Sequence, residues 1–201
     1  EIVDCDWSSD VCSSDLSSAV FDDKVEGWAG APQSVYSDHF IHTMPHGGPM
    51  GYKLEATPIH PGLMSVLLGG HGTTLAERFK HYPHTQMMLS LLRDGFHPES
   101  QGGTVLKNVD GTAMLHYPLT DYVLEGARAA LLTMAEVQFA AGAKQVLPMH
   151  EQGQYYSTWA EAKAAIQGFD MKPYLVGLGS AHVMGGCAMA GKEEKIGRAH
   201  V

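Results

Sequence analysis

The stretch TDYVLEGARAALLTMAEVQFAAGAKQVLP, residues 120–148, changes its periodicity from that of a helix to that of a strand. Small and apolar residues recur at spacings of three and four along most of its length, which is typical of one buried helix face. Thr120 is well placed to cap the start of this helix, and Gly142 to end it. Residues 144–148 then predict a short strand. The stretch therefore predicts a long helix followed directly by a strand.

The rest of the chain adds mainly strands upstream and one more helix downstream. A continuous apolar run at 85–94 suits a central strand with both faces buried. Residues 102–119 predict a β-hairpin, because two strand-like runs flank a turn that contains Gly111. Other periodic segments are strands at 34–42 and 51–57, a helix at 73–82, and a helix at 157–168 capped by Ser157 or Thr158. These elements predict an α+β domain with a mostly antiparallel sheet flanked by helices.

Both ends of the chain differ from the rest. Residues 1–16 hold five acidic residues, no basic residue and two cysteines. We recognise residues 6–16 and 196–201 as translations of common sequencing-adapter oligonucleotides; ATC GGA AGA GCA CAC GTC, for example, encodes the final IGRAHV. We therefore expect residues 1–16 and 196–201 to be adapter-derived tails, and residues 17–195 to be an internal fragment of a longer natural protein.

The composition argues against several classes of protein. The formal net charge is −9 and no basic patch is present, which argues against a nucleic acid partner. No apolar run reaches the length of about 18 residues that a membrane-spanning helix needs. Only Cys187 remains once residues 1–16 are set aside, so no disulfide framework is expected.

His182 lies in a segment of very small residues, GLGSAHVMGGCAMAG at 177–191. An imidazole is the side chain that can take up and return a proton near neutral pH. Glycine and alanine on both sides leave room for a flat group to approach the backbone. The pattern indicates either a histidine that faces a ligand or a tight turn in which the histidine is merely hydrogen-bonded.

The segment SAHVMGGCAMAG, 180–191, resembles the His-x-x-Gly-Gly/Thr-Cys-x-Met segment of the glucose–methanol–choline (GMC) oxidoreductases. The Gly-Gly-Cys variant is most similar to the cholesterol oxidase and long-chain alcohol oxidase branches. Three upstream stretches occur in the order expected of the family's substrate-binding domain: GAPQSVYSDHF at 30–40, HYPLTDY at 116–122 and FAAGAKQVLP at 139–148. The resemblance thus covers nearly all of residues 17–195.

The resemblance implies roles for individual residues. His182 matches the active-site histidine that handles the alcohol proton, while a carbon-bound hydrogen leaves as hydride to the flavin. Gly185, Gly186 and Cys187 match the tight segment that lines the flavin, and Met189 matches the motif's methionine. We expect Cys187 to act as a small apolar residue there rather than as a redox group.

The resemblance also implies a division of the chain and a set of partners. Residues 17–176 correspond to the substrate-binding domain, and residues 177–195 to the flavin-facing segment. The Gly-x-Gly-x-x-Gly turn that holds the ADP half of FAD is absent from the sequence, so the main FAD-binding domain is missing. We therefore expect this chain alone to bind FAD poorly and to be inactive. The implied substrate is a small-molecule alcohol, of apolar character by the branch resemblance, and the electron acceptor stays open.

Two other functions remain open at this stage. His39, His42 and His46 lie close in sequence and suggest a metal-dependent hydrolase, although Pro45 and the predicted strand argue against a helix that would gather them. A non-catalytic α+β ligand-binding domain is the second alternative. Seven further histidines are expected to be surface or loop polar groups: His60, His71, His81, His84, His97, His116 and His150.

The sequence leaves the structural role of two further segments open. The glycine-rich apolar segment HPGLMSVLLGGHG, 60–72, suits core packing, a hydrophobic substrate channel or a membrane surface. The polar and aromatic segment MHEQGQYYSTW, 149–159, suits either a pocket wall or an ordinary connector.

Overall fold

The computed structural model describes residues 14–29, 31, 34–95, 97–100 and 102–179. In chain order its elements are β1 (Ser14–Val20), β2 (Tyr36–Ser37), α1 (His39–Thr43), β3 (Tyr52–Thr57), α2 (Pro61–Leu67), α3 (Gly72–Lys80), a 3₁₀ turn (Tyr82–His84), β4 (Thr85–Leu92), β5 (Thr104–Lys107), β6 (Ala113–His116), α4 (Asp121–Ala140), β7 (Gln145–Pro148) and α5 (Trp159–Gly168).

Five of the strands form one antiparallel sheet in the order β2-β3-β4-β1-β7. The apolar strand β4 lies at its centre, as its sequence predicts. Strands β5 and β6 form a separate antiparallel hairpin around Gly111, whose φ is 86°. The protein therefore has the predicted α+β fold, with a mostly antiparallel sheet flanked by helices.

The two faces of the sheet carry different apolar clusters. Met88 and Val146 pack in a cluster with α4 and α5, whereas their neighbours Met87 and Leu147 pack in a second cluster with α2 and α3. Adjacent residues of a strand point to opposite faces, so the clusters lie on opposite sides of the sheet. The first is the larger core, and the second lies beside the candidate site described below.

The long helix α4 begins and ends where the sequence predicts. The Thr120 hydroxyl accepts a hydrogen bond from the amide of Val123, and Gly142 follows the helix with a φ of 98°. Its buried Gln138 accepts a bond of 2.7 Å from the Ser17 hydroxyl and donates one of 3.0 Å to the Ser17 carbonyl. This side chain therefore fixes the helix to strand β1.

Helix α5 is confirmed with Thr158, rather than Ser157, as its N-cap. Gly168 is its last residue. The end of α5 is held by Arg128 of α4, whose Nη1 donates to the Ile166 carbonyl at 2.7 Å and whose Nη2 donates to the Phe169 carbonyl at 3.1 Å.

The strand predicted over 34–42 is wrong in its second half. Strand β2 covers only Tyr36–Ser37, and a short helix, α1, follows from His39 to Thr43. The amides of Ile41 and His42 donate to the Asp38 carbonyl, and the His42 ring lies 3.2 Å from the Asp38 carboxylate. These local bonds close one helical turn. Pro45 limits the length of this helix but does not prevent it, because it lies beyond the last helical residue.

Strand β1 and helix α2 were also not predicted. Strand β1 runs from Ser14 to Val20, so the expected boundary between residues 16 and 17 falls inside it. Helix α2 lies within the apolar segment 60–72 and buries Met64, while Leu63 and Val66 are 50% and 75% exposed. Within the described ranges, no helix combines the length and apolar character needed to cross a bilayer.

Candidate functional site: a cavity beside residues 174–179

A cavity of about 510 Å³ lies beside the end of β7, next to the second apolar cluster. Three segments form its walls: the end of α2 with the turn that follows (66–70), the turn after β7 (149–153), and the segment 174–179. Leu16 of β1, Arg78 of α3, and Leu147 and Pro148 of β7 complete the lining.

The first wall is a glycine turn held by an arginine. Gly69 and Gly70 have φ values of 63° and 76°, a conformation that residues with a side chain rarely adopt. Arg78 Nη1 donates a hydrogen bond to the carbonyl of Leu68 just before this turn. Segment 60–72 therefore contributes to the core, which was one of its three expected roles, and also to a wall of this cavity.

The second wall is a tight turn immediately after β7. The amide of Gly153 donates to the His150 carbonyl at 2.7 Å. A Cβ atom on Gly153 would lie only 2.2 Å from the Pro148 carbonyl oxygen, so the chain can close here only without a side chain. Of the two roles open for segment 149–159, a pocket wall is the one that four of its first five residues play.

His150 is the buried ionisable group of this turn, at 8% exposure. Its Nδ1 accepts a hydrogen bond of 3.1 Å from the Gln152 amide, and its Nε2 lies 3.2 Å from the Asp170 carbonyl. Its ring stacks on Phe169, with centroids 4.3 Å apart and planes 4° from parallel. Burial lowers the pKa of His150 below its usual value. His150 lies between elements, as expected of a loop histidine, but it is not a surface group, because its ring satisfies both nitrogens inside the protein.

The third wall, 174–179, is bound to the second. Val176 forms an antiparallel bridge with His150, and the Glu151 amide donates to the Leu175 carbonyl at 2.8 Å. The Gly177 amide donates to the Met149 carbonyl at 3.3 Å. These bonds place the last described residues, which directly precede the His182 segment in sequence, along the cavity.

The chemistry of the lining favours an apolar occupant. Leucine, valine and methionine side chains predominate, together with glycine backbone, and Arg78 and Glu151 are the charged residues of the lining. Both nitrogens of His150 already have partners. His150 is therefore arranged to hold structure and not to exchange a proton with a ligand.

The residues that the family resemblance links to proton transfer and to the flavin lie outside the described residues. These are His182, Gly185, Gly186, Cys187 and Met189. Within the described ranges, no glycine-rich strand–turn–helix of the kind that holds the ADP half of FAD is present.

The metal interpretation gains no support from the part of the chain that the structure describes. No group of three or more His, Cys, Asp or Glu side chains there is placed to hold a metal ion. His42 pairs with Asp38, and His39 lies edge-on to Phe40 with ring centroids 5.0 Å apart.

The sequence analysis did not single out Arg78, and it included His150 only as part of the possible pocket wall 149–159. The adjacent glycines 69 and 70 were a usable indication of a turn with unusual backbone angles. Nothing in the sequence distinguishes His150 from the other histidines, because its burial depends on contacts with residues about twenty positions away.

No protein-family model matches the chain. Two curated proteins are similar to it, the uncharacterized GMC-type oxidoreductases of Mycobacterium tuberculosis strains CDC 1551 / Oshkosh and ATCC 25618 / H37Rv. Each is 28% identical over 128 residues, which is 64% of this chain and 18% of the relative. The chain thus matches less than a fifth of the length of these relatives. The matches support a relationship to the GMC-type oxidoreductases.

Proposed function

We propose that this chain is the substrate-binding part of an FAD-dependent alcohol oxidoreductase of the GMC type, and that its cavity receives an apolar alcohol. The observation that carries the proposal is the wall formed by residues 174–179. This wall is continuous in sequence with the segment that resembles the family's active-site motif, and that continuity supports the assignment of the cavity and His182 to one site. The relationship to GMC-type oxidoreductases supports the same assignment.

In this proposal His182 takes the hydroxyl proton of the alcohol as general base. FAD, when bound by the complete protein, supplies the acceptor for the hydride that leaves the alcohol carbon. Gly185, Gly186 and Cys187 leave room for the flavin ring beside the backbone. The apolar walls of the cavity bind the carbon chain of the alcohol and exclude water from the reacting atoms.

The test needs the complete gene, obtained by reading the source DNA through both ends of this open reading frame. In the complete protein, His182→Asn should lower the rate of alcohol-dependent flavin reduction by about 100-fold or more, because general acid–base catalysis contributes at least that factor. His116→Asn, which removes an exposed histidine of the hairpin, should leave the rate unchanged. Equal rates for His182→Asn and the unmodified protein would exclude this role.

The present chain supplies a second check. Purified alone, it should retain no yellow flavin and should reduce none with alcohols, because the described residues offer no site for the ADP half of FAD. A non-catalytic ligand-binding domain is the second candidate, favoured by the cavity alone. That candidate predicts that His182→Asn leaves every measured property of the complete protein intact.

A further inference from the structure

The turn 149–153 and the segment 169–177 are joined through both backbone and side chains. Backbone bonds run between Glu151 and Leu175 and between Gly177 and Met149. The Asp170 amide also donates to the Gln152 side chain at 3.0 Å. His150 lies at the centre of this junction, since its backbone forms a bridge with Val176 while its ring contacts Phe169 and Asp170.

The hydrogen bonds of His150 define which nitrogen carries the proton. Nδ1 lies 3.1 Å from the backbone nitrogen of Gln152, which is a donor, so Nδ1 must be an acceptor and bear no proton. Nε2 then carries the hydrogen and donates it to the Asp170 carbonyl. Both bonds are satisfied together only when the imidazole is neutral.

The far side of the junction is fixed independently of His150. Arg128 donates to the carbonyl of Phe169, the residue whose ring stacks on His150. Phe169 is itself 6% exposed. Arg128 of α4 holds Phe169 in place. A change in the hydrogen bonds of His150 should therefore act on residues 170–177, which follow Phe169, rather than on α5.

We infer that neutral His150 is a positioning residue that fastens residues 170–177 to the turn after β7, and that its protonation releases this wall of the cavity. A protonated ring carries hydrogens on both nitrogens. Its Nδ1–H would then face the Gln152 N–H, so two donors would meet and the bond that closes the turn would be lost.

The surrounding charges are those of Glu151 and Asp170, whose carboxylates favour the protonated ring, and Arg128, whose guanidinium opposes it. Lys172 pairs with the Asp170 carboxylate at 2.6 Å. Burial is the largest influence and lowers the pKa of His150. The released ring is more exposed and takes up a proton more readily, so release increases as the pH falls below the ordinary histidine value of 6.5.

Hydrogen exchange of the present chain tests the inference and needs no flavin or alcohol. A negative result would therefore overturn this inference without bearing on the proposed function. The amides of Glu151 and Gly177 report on the junction, because each donates across it. We expect their protection factors, corrected for intrinsic exchange, to fall several-fold between about pH 7.5 and about pH 5.5, on either side of the histidine pKa. Amides in the middle of α4 should keep their protection.

Two substitutions at His150 distinguish the effect of its protonation from the effect of its contacts. His150→Asn keeps an acceptor near the position of Nδ1 but loses the bond to Asp170 and the stacking on Phe169, and it does not titrate. Its protection should therefore be lower than that of the unmodified chain at pH 7.5 and should lose its dependence on pH. His150→Ala removes both bonds and the stacking, and should lower protection by about tenfold at each pH. His116→Asn serves as the control, since His116 is exposed on β6, and should behave as the unmodified chain does.

Several outcomes would overturn the inference. Protection that does not change with pH in the unmodified chain would exclude release by protonation. A pH-dependent loss that persists in His150→Asn would assign the effect to another group. If His150→Ala fails to fold, the comparison between His150→Asn and the unmodified chain still decides the question.

Discussion

Gly153 is the residue at which a single added methyl group should have the largest local effect. Its Cβ would lie 2.2 Å from the Pro148 carbonyl and 2.9 Å from the His150 carbonyl, and both obstacles are backbone atoms that cannot rotate away. We expect Gly153→Ala to lower the free energy of unfolding by about 2 kcal/mol or more, because the turn must open to admit the methyl group. Urea denaturation followed by circular dichroism measures this change.

Gly168→Ala is the matched control for this substitution. Gly168 ends α5, and a Cβ built there meets no atom within 4 Å. Alanine in a helix is favoured over glycine by up to about 1 kcal/mol, so this variant should be equally stable or slightly more stable. Similar losses in both variants would show that the close approach at Gly153 is relieved at little cost.

Among individual residues, the helix caps could be predicted from the sequence, whereas the partners of buried side chains could not. Thr120 and Gly142 act at the ends of α4 as predicted, because a cap depends on its own neighbours in sequence. The burial of His150 depends on Phe169 and Asp170. Such contacts are set by tertiary packing and leave no local pattern.

At the scale of elements, Arg128 connects two helices that have few other polar contacts with each other. Its guanidinium donates to the carbonyls of Ile166, Gln167 and Phe169 at the end of α5. The Ile166 carbonyl also accepts a bond of 3.3 Å from the Phe169 amide. The last carbonyls of a helix lack the usual partner four residues on, and a cation at a helix C-terminus is favourable. Arg128→Ala should therefore lower the free energy of unfolding by about 1 to 2 kcal/mol, measured by urea denaturation.

Arg128→Lys should recover only part of this loss, because one ammonium group cannot reach three carbonyls in the geometry of a guanidinium. Lys80→Ala is the control, since Lys80 forms an exposed ion pair with Glu77 in which both side chains are 66% exposed. Exposed pairs contribute about 1 kcal/mol or less. An Arg128→Ala variant as stable as Lys80→Ala would contradict this role for Arg128.

Length accounts for part of what the sequence could predict, although the short strand β7 was predicted and the longer strand β1 was not. The helix α4 and the strand β4 repeat their patterns over 20 and 8 residues, which is enough to define a period. Strand β2 has 2 residues and α1 has 5. Elements so short are fixed by local hydrogen bonds such as those to Asp38, and the amino-acid pattern of 34–42 alone favoured a strand.

At the scale of the whole molecule, strand β1 occupies an inner position between β4 and β7. Residues 14–16 pair with Leu91, Ser90 and Leu89, and the Leu16 carbonyl accepts a bond of 3.0 Å from the Met149 amide. A chain that starts at residue 17 should therefore be less stable than one that starts at residue 14, by about 1 to 3 kcal/mol. Denaturation of both chains measures the difference.

A third chain, starting at residue 14 and carrying Leu16→Ala, separates the side chain from the backbone in this comparison. It keeps the strand pairing and loses only the apolar contacts of Leu16 with the second cluster, so its stability should lie between the other two. If the chains starting at residues 14 and 17 are equally stable, residues 14–16 contribute nothing to the sheet. Whatever the origin of these residues, we expect them to serve as part of β1.

The inner position of β1 also affects how the chain behaves while it is being synthesised. Its sheet partners are β4 and β7, which begin at Thr85 and Gln145. A ribosome that adds roughly 5 to 20 residues per second finishes β7 many seconds after β1 has emerged. Both edges of β1 lack their strands until β4 is made, and one edge stays unpaired until β7 follows. Unpaired edges are prone to join other chains. Newly synthesised chains are therefore expected to give more soluble protein when a chaperone is supplied during synthesis.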